Sequence, residues 1–185
     1  MIGGVPPLAI FKLQMRHMKK GLFLLLLFPF ASFAQDTCGL KKTKDPFTNL
    51  EKLSTGFKNF SGTAGTVSIS ADATPTEIDF FIWLKSPGKC FDLESTAAFT
   101  WEGERSKATF RNSGSINCEG AFHFVFKNTA TPTSWLRKLM TKKIATIKLT
   151  GNNNQETTIT LTEEQKDLLQ RMAVCIANEG KTLRK

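Results

Sequence analysis

The sequence has no tyrosine and only two histidines, His17 and His123, among 185 residues. Histidine is the commonest general base and a frequent zinc ligand, so this scarcity narrows the chemistry at once. Also missing are a Gly-x-Ser-x-Gly elbow, His-Glu-x-x-His, Gly-x-x-x-x-Gly-Lys-Ser/Thr, Gly-x-Gly-x-x-Gly and any calcium-loop pattern. Without them, metal-assisted hydrolysis and nucleotide chemistry have no recognisable machinery, and neither a cofactor nor a metal is expected. The longest apolar run, Leu22 to Phe33, is about 12 residues. A helix needs roughly 20 to cross a bilayer, so no stable transmembrane anchor is expected. No internal repeat and no low-complexity linker divides the chain.

What is present begins with a leader. Lys19 and Lys20 follow Met18, Leu22 to Phe30 form an apolar middle, and Ser32-Phe33-Ala34 is a small-x-small cleavage site ahead of Gln35. That order is the layout of a secretory signal peptide, so residues 1–34 are read as a cleaved leader with the true start at Met18. Residues 35–185 are then one exported domain, periplasmic or secreted. Cys38 follows Gln35-Asp36-Thr37, which lacks the small apolar residues that lipoprotein processing requires.

Removing Lys12, Arg16, Lys19 and Lys20 takes the formal charge from +9 to +5. The remaining basic clusters, Lys41, Lys42 and Lys44, and Arg137, Lys138, Lys142 and Lys143, lack the stacking aromatics or groove-reading helix of a nucleic-acid site. They are read as solvated faces, and no nucleic-acid partner is expected. All four cysteines, Cys38, Cys90, Cys118 and Cys175, lie after the leader. In an exported chain an even count reads as two disulfides. Zinc is the weaker reading, because no two cysteines are closer than 28 positions and metal ligands come in near pairs.

Period-two alternation marks the strands. Phe91, Leu93, Ala97, Phe99 and Trp101 alternate with polar residues, Gly103 supplies a turn, and Lys107 to Asn112 returns with Ala108 and Phe110 on one face. A hairpin folded about Gly103 brings Cys90 opposite the neighbourhood of Cys118. Four cysteines permit three pairings, and this register favours Cys90 with Cys118, leaving Cys38 with Cys175. Val67, Ile69 and Ala71 belong to an earlier strand, and Thr74-Pro75-Thr76 turns the chain into Glu77 to Lys85. The middle of that stretch, Ile78-Asp79-Phe80-Phe81-Ile82-Trp83-Leu84, is apolar on both faces, which predicts a central strand covered on both sides. Phe122, Phe124 and Phe126 define a further strand, and Phe57 and Phe60 are expected to plug the core.

Thr131-Pro132 predicts a short helix near 132–141, with proline at its first position. Ala145, Ile147 and Leu149, then Thr157, Ile159 and Leu161, flank the turn Gly151-Asn152-Asn153-Asn154. Thr162-Glu163-Glu164-Gln165 is a capping box for a C-terminal helix near 162–178, with Leu168, Leu169, Met172, Cys175 and Ile176 inward and Gly180 as the stop. The fold class is mainly β with two helices: an antiparallel sheet forming a sandwich or partly closed barrel.

Three stretches, Asp45-Pro46-Phe47-Thr48-Asn49, Phe99-Thr100-Trp101-Glu102-Gly103, and Leu139 to Leu149 before a cysteine-bearing helix, give a layout that resembles small uncharacterised exported proteins of Bacteroidetes. The resemblance implies export and a fold, and none of these stretches implies an activity.

For chemistry, His123 is the only histidine left after cleavage, and its place in a phenylalanine-rich strand favours a structural or solvated role. Glu94, Glu102, Glu104 and Glu119 are the candidates for a two-carboxylate hydrolase, which needs acids roughly 5 to 9 Å apart in a cleft. Each sits where a polar strand face or turn would place an acid anyway. Asn59-Phe60-Ser61 matches a glycosylation triplet that bacterial export makes irrelevant. Eleven of the 16 phenylalanines follow Ala34, so a barrel lined by them and carrying a small apolar ligand is an alternative, against the simpler role of core filling. The leading expectation is a non-enzymatic binding or accessory domain of the bacterial cell envelope, with a protein or envelope component as partner and no assigned catalytic residue.

Overall fold

In the computed structural model, which describes residues 38–45, 48–62, 65–86 and 88–184, these residues form ten strands. Six belong to the larger antiparallel sheet: β1 (Lys41–Lys44), β2 (Glu51–Ser54), β3 (Lys58–Gly62), β4 (Gly65–Ala73), β5 (Glu77–Leu84) and β8 (Ala121–Lys127). Their order is β1-β2-β4-β5-β8, with β3 also paired to β4. The smaller sheet runs β10-β9-β6-β7, from β6 (Thr96–Trp101), β7 (Lys107–Arg111), β9 (Ile144–Thr150) and β10 (Glu156–Thr160). The fold is mainly β, in two sheets that do not close into a barrel. Two helices complete it, α1 (Ser134–Thr141) and α2 (Glu163–Gly180). Among the described residues no helix is long and apolar enough to cross a membrane.

One face of the larger sheet receives everything else. Phe99 of the smaller sheet meets Phe124 of β8 edge to face at 5.3 Å, and Phe110 stacks on Phe124 at 4.6 Å. Next to this sheet-on-sheet contact, α2 lies against β2, β4, β5 and β9 and buries Leu169, Met172, Ala173 and Ile176. The free volume bordered by Ile69, Phe80, Phe99 and Phe124 is about 10 Å³, no more than a single water needs. The phenylalanines therefore fill a core here.

The C-terminal helix starts as its sequence requires. Thr162 accepts the N–H of Gln165, and the Gln165 side chain accepts the N–H of Thr162, satisfying two donors that a helix N-terminus otherwise leaves open. Cys175 on its buried stripe is bonded to Cys38, and Cys90 is bonded to Cys118. The second bridge closes the hairpin that pairs Ala97 with Phe110 and Thr96 with Arg111.

Several sequence expectations are corrected. The strand expected from Phe91 begins only at Thr96; Asp92 accepts the backbone N–H groups of Glu94 and Ser95 and the Ser95 hydroxyl, a side-chain turn that outcompetes the ladder. Leu93 is thereby left exposed. Pro132 lies before the shorter helix, whose cap is Thr133. A bulge at Thr100 and Trp101 puts Ile144 opposite Trp101, so Ile144 takes the buried position expected of Ala145. Gly180 is a right-handed helical residue, φ −56°, and its missing side chain serves packing: a Cβ there would sit 3.0 Å from Cβ of Ala73. Phe60 is buried as expected, but Phe57 is 55 % exposed. The leader Met18 to Ala34, the cleavage site at Gln35, and Pro46, Phe47 and Pro87 lie outside the described residues.

Candidate functional site

The smaller sheet and α2 share one face of the larger sheet, and among the described residues no second layer lies on the other face. Strand β5 is central, between β4 and β8, yet only its inward residues Ile78, Phe80, Ile82 and Leu84 are fully buried. Phe81 and Trp83 point the opposite way. The double-sided cover expected for this strand is therefore absent, and Trp83 remains 40 % exposed.

Register fixes what surrounds these two rings. Trp83 stands opposite Ser68 on one side and Ala121 on the other, while Phe81 stands opposite Ser70 and His123. Small neighbours on both sides leave the Trp83 ring standing proud of the sheet. Phe57, just before β3, reaches over from the edge: its ring lies 5.7 Å from Phe81 and 6.3 Å from Trp83, inclined to them by 77° and 59°. Ser68 and Ser70 are buried although they face outward, as expected for residues beneath that bridging ring. The indole is held in place by its own N–H, which donates to the carbonyl of Glu119 at 2.9 Å.

Polar groups border the rings. Asn59 Oδ1 accepts from the Ser68 hydroxyl at 2.7 Å and from Lys85 Nζ at 3.3 Å, and the same ammonium lies 5.6 Å from the Trp83 ring centroid. On the other flank, His123 Nδ1 is 3.2 Å from Asp79 Oδ2, and its ring centroid is 5.8 Å from Phe81. The hydrogen bond to Asp79 raises the His123 pKa above the usual imidazole value, against an opposing effect of burial. Gly114 packs on the outer edge of that ring: a Cβ there would collide with Nε2 and Cδ2 of His123. Among the described residues no hydroxyl or thiol is bonded to the imidazole, whose partner is the Asp79 carboxylate.

Three of the four glutamates nominated from sequence are each engaged by a cation of their own. Glu94 pairs with Arg111, Glu102 with Lys166, and Glu104 with Lys138 and Lys142. Glu94 and Glu102 precede and follow β6, a six-residue strand that spans about 20 Å, too far for a shared glycosidic bond. Glu119 contributes its backbone carbonyl to Trp83. The Glu104 carboxylate is held at a pKa of about 2, chiefly by its bond to Lys138 and also by Ser106, and Lys138 lies 5.0 Å from the Trp101 ring centroid. That cluster ties the β6–β7 turn to α1.

Two residues of the open face had no functional reading in the sequence. Phe57 is expected to plug the core, and Asp79 falls inside a stretch read as apolar on both faces. The available signal was the aromatic content of β5 together with two polar residues, Glu77 and Asp79, facing the same way as Phe81 and Trp83. No protein-family model, curated protein or solved structure matches the chain.

Proposed function

We propose that the protein is an exported binding or accessory domain of the bacterial cell envelope, periplasmic or secreted after cleavage between Ala34 and Gln35, and that it engages its partner with the open face of the larger sheet. One observation carries the reading: Phe57 and Trp83, 55 % and 40 % exposed, meet Phe81 in a single aromatic cluster on a rigid antiparallel scaffold. Exposed aromatics that touch one another mark interaction sites far more often than scattered apolar residues do. The two disulfides support an oxidising compartment.

The other readings draw less support. A carrier of apolar ligands needs an interior, and the space between the sheets is filled. A carboxylate-dependent hydrolase needs a water-excluding cleft, whereas Glu94, Glu102 and Glu104 are engaged in surface ion pairs. The test is photo-crosslinking in an envelope extract with a probe at position 59, comparing the native chain with Phe57→Ser and Trp83→Ser. An adduct that both substitutions abolish, with circular dichroism unchanged, supports the reading; adducts indifferent to both reject it.

A further inference from the structure

We infer that the open face of the larger sheet binds carbohydrate, with one to three pyranose rings seated on Phe57, Phe81 and Trp83 and their hydroxyls met by the bordering polar side chains. This rests on the reading of that face as the binding surface and names the ligand class.

Size is the first argument. A large aromatic side chain offers about 150–250 Å², so at 55 % and 40 % exposure Phe57 and Trp83 present about 200 Å² together. A stable protein partner covers about 800 Å² on each side. The cluster is therefore a quarter of a protein interface and matches a small ligand. Its shape is the second argument. The rings meet at 77° and 59°, so they form an uneven aromatic surface on which one or a few sugar rings can lie, rather than a flat platform.

Chemistry selects among small ligands. A pyranose has an apolar face of C–H bonds, slightly positive, and a rim of hydroxyls. Aromatic faces are negative through their quadrupole and attract the first. The second needs donors and acceptors around the rings, and both are present. Asp79 supplies a carboxylate beside Phe81 whose two oxygens share the single His123 Nδ1, which leaves further lone pairs to accept hydroxyls. Asn59 has its oxygen engaged by Ser68 and Lys85, which leaves its amide N–H groups to donate. Lys85 retains further N–H donors at the edge of Trp83. An acyl chain in the same place would strip water from these groups without replacing its hydrogen bonds. A phosphate-bearing ligand would bring negative charge toward Asp79 and, directly across the strand pair, Asp72. The groups are also fixed in advance: Asp79 and Asn59 are short side chains on paired strands, and the Trp83 indole is tied by its N–H, so little freedom is lost on binding.

The experiment is titration, by calorimetry and tryptophan fluorescence, of the chain expressed from its full coding sequence with both disulfides intact. The probes are cellohexaose, xylohexaose, laminarihexaose, N-acetylchitohexaose and soluble peptidoglycan fragments. Saturable binding to at least one probe is expected, weakened tenfold or more by Trp83→Ala and by Phe57→Ala and unchanged by Trp135→Ala, an exposed aromatic on α1. Phe57 makes fewer core contacts, so it decides the matter should the Trp83 variant fail to fold. Binding to no probe overturns the inference; if a face-dependent protein crosslink is still found, the proposed binding surface survives without it. Sugar binding indifferent to both substitutions overturns the assignment of the face itself.

Discussion

Asp72 and Asp79 stand directly opposite each other on β4 and β5, and each carboxylate has a cation of its own: Lys52 Nζ lies 2.6 Å from Asp72, and His123 Nδ1 lies 3.2 Å from Asp79. Like charges facing across a strand pair are destabilising. The two cations come from the strands outside the pair, β2 and β8, so four neighbouring strands share one charge balance. Removing either cation should expose the repulsion.

For His123 the sign follows from its raised pKa in the folded protein. Its contribution is complete below about pH 6.5, where the unfolded side chain is also protonated, and is lost as pH rises through the higher folded value. His123→Gln should therefore cost about 1 kcal/mol at pH 6 and less at pH 9. Urea unfolding of both proteins across that range checks it; a gap that widens with pH would contradict the pairing.

Gly114→Ala should act through the same histidine. The added Cβ occupies the space of Nε2 and Cδ2, so the ring must swing away from Asp79, with an expected loss of about 1–3 kcal/mol. In a double-mutant cycle, His123→Gln made on top of Gly114→Ala should then cost little. Additive losses would show that the two positions do not communicate.

Glu104 provides an acid-side counterpart. Its folded pKa of about 2 lies below the unfolded value of 4.5, so its stabilisation is present above pH 4.5 and fades as pH falls toward 2. Glu104→Gln should lower Tm at pH 7, with the difference shrinking steadily between pH 4.5 and 2. Thermal melts at intervals across that range read the trend, and a pH-independent difference would point away from the Lys138 pair.

The two disulfides should differ in weight. Their sequence separations are 137 for Cys38–Cys175 and 28 for Cys90–Cys118. Loop-closure entropy then gives about 5 and about 3.5 kcal/mol respectively. Replacing Cys38 and Cys175 with serine should lower the denaturant midpoint more than replacing Cys90 and Cys118. The reverse order would mean that local geometry outweighs chain entropy here.

Much of this fold was legible because local patterns agree with it. Phe122, Phe124 and Phe126 alternate and go inward, the box at Thr162 and Gln165 starts a helix, and Asn153 and Asn154 adopt the positive φ values of 58° and 56° that their turn invites. What stayed hidden depends on distant parts of the chain. Alternation sorts the side chains of β5 into two faces but does not say whether a second layer covers each, since that turns on where α2 and the smaller sheet come to rest. Phe57 and Phe60 look alike in sequence, yet only Phe60 falls within the β3 ladder, where it is buried opposite Val67. Strand β1, Lys41–Lys44, is exposed throughout and carries no apolar periodicity at all, so only its pairing with β2 reveals it.

The two ends of the strand order β1-β2-β4-β5-β8 are guarded, in different ways. At β1, lysines 41, 42 and 44 line the last strand. At β8, Ser113 donates to the carbonyl of His123 while the side chains of Asn112 and Asn117 bond the backbone at His123 and Ala121. Another polypeptide thus finds lysine charge at one rim and main-chain groups already engaged along half of the other, which discourages sideways growth of the sheet into fibrils. Approach from above is left open, so crowding this protein at neutral pH should yield discrete particles, and acetylating its lysines should be what first allows copies to join end strand to end strand.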